Sequence, residues 1–172
     1  LFFRNDAVVV GVPHALLDSV ESQVAALASL DTDIADEAAE WLTHFDGIEQ
    51  VLGPTFYGYA DRETFNPIES DVRVLTSSDS SSFQTFQSHI PDDEWEQGGM
   101  QFTPGETVGL FVDGELVAVA GYNEWEGLLA HLAVVTHPDH RSQGYGQAVV
   151  SRATDQALAT GLLPQYRTSD AW

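Results

Sequence analysis

An arginine followed by two close glycines is the part of the sequence whose residue types most directly suggest chemistry. Arg141, Gly144 and Gly146 form the pattern R-x-x-G-x-G, and a stretch with helical spacing of apolar residues follows them. The first N–H groups of a helix have no intrahelical partner and carry partial positive charge, while glycine lets a ligand approach the backbone. An apolar strand, this turn and a helix therefore predict a binding site for a phosphate or pyrophosphate.

Two other phosphate-binding motifs are excluded by the residues present. A P-loop, G-x-x-x-x-G-K-[ST], needs a lysine, and this chain contains none. The dinucleotide fingerprint G-x-G-x-x-G needs a third glycine where Val149 stands. The pattern R-x-x-G-x-G after an apolar strand remains, and the structural alternative to it is a helix with an ordinary glycine-rich start.

Residues 133–150, AVVTHPDHRSQGYGQAVV, resemble the strand, loop and helix of the GNAT superfamily of acyl-CoA-dependent N-acyltransferases, whose principal motif is [QR]-x-x-G-x-[GA]. The resemblance extends over residues 71–168. It implies an α/β (α+β) fold in which a mixed, mostly antiparallel sheet is flanked by helices. It also implies acetyl-CoA (coenzyme A) as co-substrate and an amine as acceptor.

The resemblance also implies which residues bind the coenzyme. Backbone N–H groups of residues 143–147 would face the pyrophosphate, and Val134 and Val135 would pair with the pantetheine arm and direct an N–H at the thioester carbonyl. Arg141 either contacts a coenzyme phosphate or braces the loop. The predicted coenzyme-binding residues are Val134, Val135, Arg141, Gln143, Gly144, Tyr145, Gly146 and Gln147.

The reaction implied by the resemblance is the transfer of an acetyl group to a primary amine of a small molecule or a protein. The amine attacks the thioester in its neutral form, so a base must take its proton, commonly through water. Glu126 is the first candidate for this base, His131 the second, and Glu124 lies near them in the sequence. Each could instead be a surface carboxylate or a hydrogen-bonded core histidine. A non-catalytic acyl-CoA-binding or scaffold module is the alternative for the whole protein.

His137 and His140 flank Pro138 and Asp139, a spacing that raises the question of a metal. No third ligand is spaced to join them in the sequence. We therefore predict no metal, and attribute the two histidines to the polarity of the loop before the glycine turn.

The charge of the chain limits its partners and its setting. It has 27 acidic residues against 6 arginines and a formal net charge of -21. Such a surface repels nucleic acids and anionic lipids, so we predict neither a nucleic-acid nor a membrane partner. The complete absence of lysine favours a cytoplasmic protein of a halophilic organism. The sequence leaves a homodimer open.

Salt should stabilise a chain of this charge. At about 1 M salt the Debye length is only about 3 Å, so repulsion between surface carboxylates is screened. We expect the free energy of unfolding to rise with KCl up to molar concentrations, as measured by urea titration. Equal stability in dilute buffer would contradict the halophilic interpretation.

The chain divides in the sequence into an N-terminal α/β lobe, residues 1–70, and a core, residues 71–172, with a polar boundary at residues 61–71. In the lobe we predict a strand at residues 7–12 and then two helices, one after Pro13 and one from about Asp33. Whether the sheet runs through both units stays open.

The predicted elements of the core position the glycine turn. They are a strand at residues 71–76, a helix in residues 77–90, a hairpin turning at Asp113-Gly114, a strand at 127–135, a helix ended by Gly161, and a strand at 162–168. GNAT members usually continue with a fourth helix that often carries the tyrosine protonating the thiolate. Because the sequence ends at Trp172, we expect that general acid and part of the coenzyme cleft to be absent from this chain.

Overall fold

The structure is a computed structural model that describes the backbone of residues 2–4, 7–9 and 55–169 and the side chains of residues 57–168. One compact unit is Tyr57–Thr168, and the rest of the chain forms another. All of the residues predicted to form the site lie in the first of these units.

The unit outside Tyr57–Thr168 contains one small sheet in its described part. Strands β1 (Phe2–Arg4) and β2 (Ala7–Val9) pair antiparallel. The strand predicted at residues 7–12 is therefore confirmed at residues 7–9. The helices predicted after Pro13 and from Asp33 lie outside the described residues, so the α/β character of the N-terminal lobe stays a prediction.

The main sheet has six strands in the order β3-β8-β7-β6-β5-β4. Antiparallel pairing joins β4 through β7, and β7 pairs in parallel with β8. Three helices of the described part flank the sheet, which confirms the predicted mixed, mostly antiparallel fold. The strands are β3 (Thr55–Tyr59), β4 (Arg73–Val74), β5 (Val108–Val112), β6 (Glu115–Trp125), β7 (Leu129–Thr136) and β8 (Leu163–Ser169), and the helices are α1 (Ser80–Ser88), α2 (Asp92–Gly98) and α3 (Tyr145–Ala159).

Two tight turns set the register of β5, β6 and β7. Asp113 and Gly114 have φ of 51° and 86°, the left-handed values that a two-residue hairpin turn with the twist of the strands requires. Glu126 and Gly127, with φ of 54° and 67°, also have left-handed values, in a three-residue loop between the paired residues Trp125 and Leu129. The first hairpin was predicted from its Asp-Gly dipeptide and is confirmed; the second was not predicted.

Helix α3 covers one face of the sheet. The row predicted to face inward, Val149, Ala153 and Ala157, is fully buried. The helix ends where Gly161 adopts a φ of 85° and the N–H of Leu162 donates to the carbonyl oxygen of Ala157 at 3.0 Å. The glycine-ended helix predicted after the R-x-x-G-x-G turn is thereby confirmed.

Helices α1 and α2 cover the other face. Phe83 and Phe86 of α1 pack with Val119 of β6 and Val135 of β7. The helix predicted in residues 77–90 is confirmed as α1, preceded by a 3₁₀ turn. Helix α2 was not predicted: its first turn is acidic and Pro91 precedes it, both of which favour a helix start.

The polar segment at residues 61–71 packs against the middle and the C-terminal end of α3. Arg62 donates from Nη2 to the carbonyl oxygen of Leu158 at 2.6 Å, and the N–H of Ile68 donates to Oγ of Ser151 at 2.9 Å. The division of the chain at residue 70 stays a prediction, because residues 10–54 are outside the described part.

None of the helices in the described ranges is both long enough and apolar enough to cross a bilayer.

Asp79, just before α1, is a buried carboxylate that ties the helix to β4. Arg73 donates to it from Nη1 and Nη2 at 2.9 and 2.6 Å. Thr76 donates from its backbone N–H at 2.8 Å and from Oγ1 at 3.0 Å. The pKa of Asp79 is held well below its usual range, mostly by the hydrogen bonds from Arg73 and to a smaller extent by the one from the backbone of Thr76.

Replacing Asp79 with asparagine is expected to lower the free energy of unfolding by about 1–2 kcal/mol near neutral pH. Because the pKa of Asp79 is depressed in the folded state, its contribution is present above about pH 4 and is lost as the pH falls further. Urea titrations at several pH values should show the two proteins converging in acid. Asp155→Asn, which breaks an exposed pair with Arg152, is the control and should cost less than about 0.5 kcal/mol. Equal losses in both variants would contradict the prediction.

Candidate active site

The main sheet opens between β7 and β8. The two strands pair in parallel from Leu129 opposite Leu163 to His131 opposite Gln165. Strand β7 then continues to Thr136 in register with β6, but no further pairing with β8 occurs within the described residues. The strands therefore diverge and leave a gap whose narrow end lies at His131 and Gln165.

The register of β7 decides which of its backbone groups face this gap. The N–H of His137 donates to the carbonyl oxygen of Val117 on β6 at 2.8 Å. Along an antiparallel strand these groups alternate in direction, so those of Val135 point to β6 and those of Val134 point into the gap. In agreement, the carbonyl oxygen of Val134 lies close to Gly98 at the end of α2, 3.1 Å from the place where a Cβ atom of that residue would be. This carbonyl is therefore not directed at β6. Of the two predicted valines, the register favours Val134 as the N–H donor to a ligand.

The N-terminus of α3 lies beside the wide end of the gap. Gly144 is the N-cap with a φ of 83°, and the N–H of Ala148 donates to its carbonyl oxygen at 3.0 Å. The N–H groups of the three residues between them consequently have no intrahelical partner. A Cβ atom added at Gly146 would lie 3.0 Å from Oγ1 of Thr136, so the first turn of α3 sits directly on the end of β7.

A depression of about 390 Å³ is open at this helix N-terminus. Its lining contains arginine, histidine, hydroxyl and amide groups but no carboxylate, although the chain has 27 acidic residues. An anion is therefore the ligand that its charge favours. Gln143 is exposed and is not among the lining residues, which are Thr136, His140, Arg141, Ser142, Gly144, Tyr145, Gly146 and Gln147.

Arg141 connects this depression to α2. Its guanidinium forms an ion pair with Glu94, and its Nε donates to the carbonyl oxygen of Thr136 at 3.4 Å. The sequence left two roles open for Arg141, contact with a coenzyme phosphate or bracing of the loop, and these contacts are of the bracing kind. Tyr145, which follows the N-cap, is partly buried against the core under α3.

The structure separates the three candidate bases. Glu126 occupies the turn between β6 and β7. Glu124 is opposite Ala130 in the register, so its side chain lies on the α3 face, and both glutamates are exposed. The distance along β7 from this turn to Val134 exceeds about 15 Å. Only His131 is brought to the gap, at its narrow end.

The imidazole of His131 is held on two sides. Its Nδ1 lies 3.0 Å from Oε1 of Gln165, and Nε2 of Gln165 in turn donates to the hydroxyl of Tyr59 at 2.8 Å. The ring stacks on the indole of Trp125, with centroids 4.3 Å apart and planes 13° from parallel. For Nε2 of His131 the described residues provide no hydrogen-bond partner, so it is free to accept a proton.

A pocket of about 690 Å³ lies on the α1 and α2 side of the sheet. Asn123, one of its lining residues, is opposite His131 in the register, so the pocket adjoins the histidine. Aromatic and amide side chains make up most of its lining, with no charged group among them. The lining residues are Ser80, Phe83, Gln84, Gln87, Trp95, Gly99, Met100, Gln101, Phe102 and Asn123.

The fold places two further potential metal ligands beside His137. Ligand atoms of His89, Glu115 and His137 lie within 4.8 Å of one another. Nδ1 of His137, however, accepts a hydrogen bond from the N–H of Asp139 at 3.2 Å, so the neutral ring carries its proton on Nε2, 3.9 Å from Glu115. A metal needs an unprotonated ring nitrogen. The arrangement thus favours a hydrogen-bonded cluster, and the absence of a metal stays a prediction.

Three residues that meet around His131 were not predicted from the sequence: Tyr59, Asn123 and Gln165. The sequence did carry a signal for two of them, because a polar residue stands within an apolar, β-rich stretch: a glutamine within LLPQY (residues 162–166) and an asparagine within the second strand of the predicted hairpin. A polar side chain in a buried strand needs a partner, and here Gln165 has two.

Comparisons with known proteins agree with this fold. The family model of the acetyltransferase (GNAT) family matches residues 72–166. A GNAT-family protein of known structure from Novosphingobium aromaticivorans DSM 12444 has a TM-score of 0.53 and 19% identity, covering 69% of this chain and 53% of that one. A GNAT-family acetyltransferase from Colwellia psychrerythraea has a TM-score of 0.51 and 18% identity, covering 68% and 46%. This chain spans about half the length of these two proteins, and no curated protein matches its sequence.

Proposed function

Because the chain belongs to the GNAT family of acetyltransferases, we propose that it transfers an acetyl group from acetyl-CoA to a primary amine of a small molecule or a protein. The observation that carries this proposal is the gap between β7 and β8, which leads from the carboxylate-free N-terminus of α3 to His131. Such a gap suits a long ligand with phosphates at one end and a reactive thioester at the other.

The phosphates of the coenzyme bind at the N-terminus of α3. N–H groups of Tyr145, Gly146 and Gln147 lack intrahelical partners, and no acidic residue stands in the first turn to oppose an anion. The pantetheine arm then follows β7 through the gap. There the backbone of Val134 has no partner strand on the β8 side and can pair with the amides of the arm.

The thioester lies near Val134, whose N–H donates to the carbonyl oxygen as negative charge develops on it. The amine nitrogen attacks the carbonyl carbon, the carbon–sulfur bond breaks, and coenzyme A leaves as a thiolate. The proton lost by the amine passes through water to Nε2 of His131. The thiolate takes up a proton from solvent and His131 releases to solvent the one it received, so the products are an acetamide and the free thiol of coenzyme A.

The acceptor approaches from the pocket between α1, α2 and β6, next to His131 and Asn123. Because this pocket has aromatic and amide groups but no charged side chain, it would bind the acceptor through packing and hydrogen bonds. The acidic surface of the chain therefore does not identify the acceptor as a polycation.

Calorimetric titration of acetyl-CoA into the chain in molar KCl tests the coenzyme part of this proposal, with dephospho-CoA as a comparison. We expect saturable binding of acetyl-CoA. A screen of primary amines, followed by release of the coenzyme thiol, then tests transfer. A folded chain that binds neither coenzyme would overturn the proposal, and binding without turnover on any amine would favour a non-catalytic acyl-CoA-binding module.

A further inference from the structure

We infer that Gln165 is a positioning residue for His131, which it holds in the tautomer that leaves Nε2 free to accept a proton. The inference rests on the proposed role of His131 as the base. We draw it from two hydrogen bonds that connect Tyr59 to Gln165 and Gln165 to His131. These bonds join the neighbouring strands β3, β8 and β7 at the narrow end of the gap.

The hydrogen bond between the two side chains determines the tautomer. Oε1 of Gln165 can only accept, so Nδ1 of His131, 3.0 Å away, must carry the proton. In a neutral ring Nε2 then holds the lone pair. The opposite tautomer would present an N–H at Nε2 and could not take a proton from the attacking amine.

The position of Gln165 makes this hydrogen bond persistent. The residue is only 4% exposed, so neither end of its amide can exchange its partner freely for bulk water. The amide nitrogen donates to the hydroxyl of Tyr59 at 2.8 Å, which uses one end of the group and leaves Oε1 for His131. In the orientation that the structure has, each end of this buried amide is paired and Oε1 is the end that faces His131.

Trp125 fixes the remaining freedom of the imidazole. Its indole is stacked nearly parallel on the ring, with centroids 4.3 Å apart. Stacking restricts rotation about the side-chain bonds of His131, and the hydrogen bond to Gln165 selects which edge points toward β8. The other edge, with Nε2, is consequently directed away from Gln165.

The first test is nitrogen-15 NMR of the histidine rings at pH 8.5 in molar KCl, with the His131 signals assigned by their loss in His131→Asn. We expect wild-type His131 to carry its proton on Nδ1. Gln165→Met, similar in volume but unable to accept, should give a mixture of tautomers, and Gln165→Glu should restore the Nδ1–H form. Gln156→Met is the control, because Oε1 of Gln156 has no partner among the described residues.

The second test is kinetic, with acetyl-CoA and the fastest amine from the screen. Gln165→Met should lower kcat roughly tenfold with an unchanged KM for acetyl-CoA, and Gln165→Glu should recover most of that loss. Wild-type His131 with its proton on Nε2, as expected for an amide turned by 180°, would overturn the inference without any variant. So would a tautomer that does not respond to Gln165→Met. The NMR result needs no turnover, so failure of the proposed acetyl transfer is detected separately.

Discussion

Replacing Gly144 with valine is expected to weaken acetyl-CoA binding about 30-fold or more while the chain remains folded. Gly144 has a φ of 83°, in the left-handed region that a β-branched residue avoids at a cost of about 2 kcal/mol, which corresponds to about 30-fold in affinity. A valine would either rotate the turn and redirect the N–H groups of Tyr145 and Gly146, or place its methyl groups in the depression that Gly144 lines.

Gly161 provides the matched control for this substitution. It has a φ of 85° and, like Gly144, has no atom within 4 Å of an added Cβ, so valine strains the backbone equally at both sites. It lies at the other end of α3, about 22 Å from the depression. Gly161→Val should lose similar stability in thermal unfolding yet bind acetyl-CoA like wild type in a calorimetric titration. Wild-type affinity for acetyl-CoA in both variants would show that the glycine turn starts the helix but does not bind the coenzyme.

The elements that sequence analysis predicted are those determined by local chemistry. Asp113-Gly114 can occupy the left-handed region at low cost, so the first hairpin follows from two residues. Likewise, the apolar row of α3 needs only helical periodicity and its terminal Gly161. In both cases the information lies within a few neighbouring residues.

Helix α2 was missed although its sequence carried a signal. PDDEWE, residues 91–96, contains the acidic first turn of this helix, but acidic residues are so common in a chain of net charge -21 that they do not stand out as a helix start. The helix has only 7 residues, too few to persist alone. Tertiary contacts supply the rest: Trp95 packs edge-on against Phe83 at 5.8 Å, and Glu94 pairs with Arg141.

The glycine turn was predictable, but the gap beside it was not. The glycine turn is one contiguous motif, whereas the gap arises because β7 and β8, which are joined through α3, stop pairing after His131 and Gln165. The same register separates Val134 from Val135 by the direction of their N–H groups. Glu126 was the first candidate for the base because it directly precedes the predicted strand. In the structure it lies in a turn, and the Glu-Gly dipeptide gave no indication that both residues would have a positive φ.

His131→Ala is expected to lower kcat by a factor of about 100 or more with little change in acetyl-CoA affinity, because loss of a general base removes about 10²–10⁴ in rate. His131 is at the narrow end of the gap, its Nδ1 is occupied by Gln165, and its ring is stacked on Trp125. Since we propose that the coenzyme phosphates bind at the other end of the gap, calorimetry should show an unchanged affinity. The rate is measured as thiol release with the amine found in the screen.

Glu126→Gln is the matched control, since it removes the first base candidate of the sequence while keeping side-chain size and the hairpin turn. Its side chain is exposed in the β6–β7 turn, more than about 15 Å along the strand from Val134. Along the same strand His131 is only about 10 Å from Val134, so Glu126 lies at least about 5 Å farther from the thioester than the proposed base, and kcat should stay within about twofold of wild type. Added imidazole should restore part of the rate of His131→Ala, because the space beside Trp125 can take a free ring, and should not accelerate Glu126→Gln. The opposite pattern, with Glu126→Gln inactive and His131→Ala active, would move the base to the hairpin and require the thioester to lie at the other end of β7.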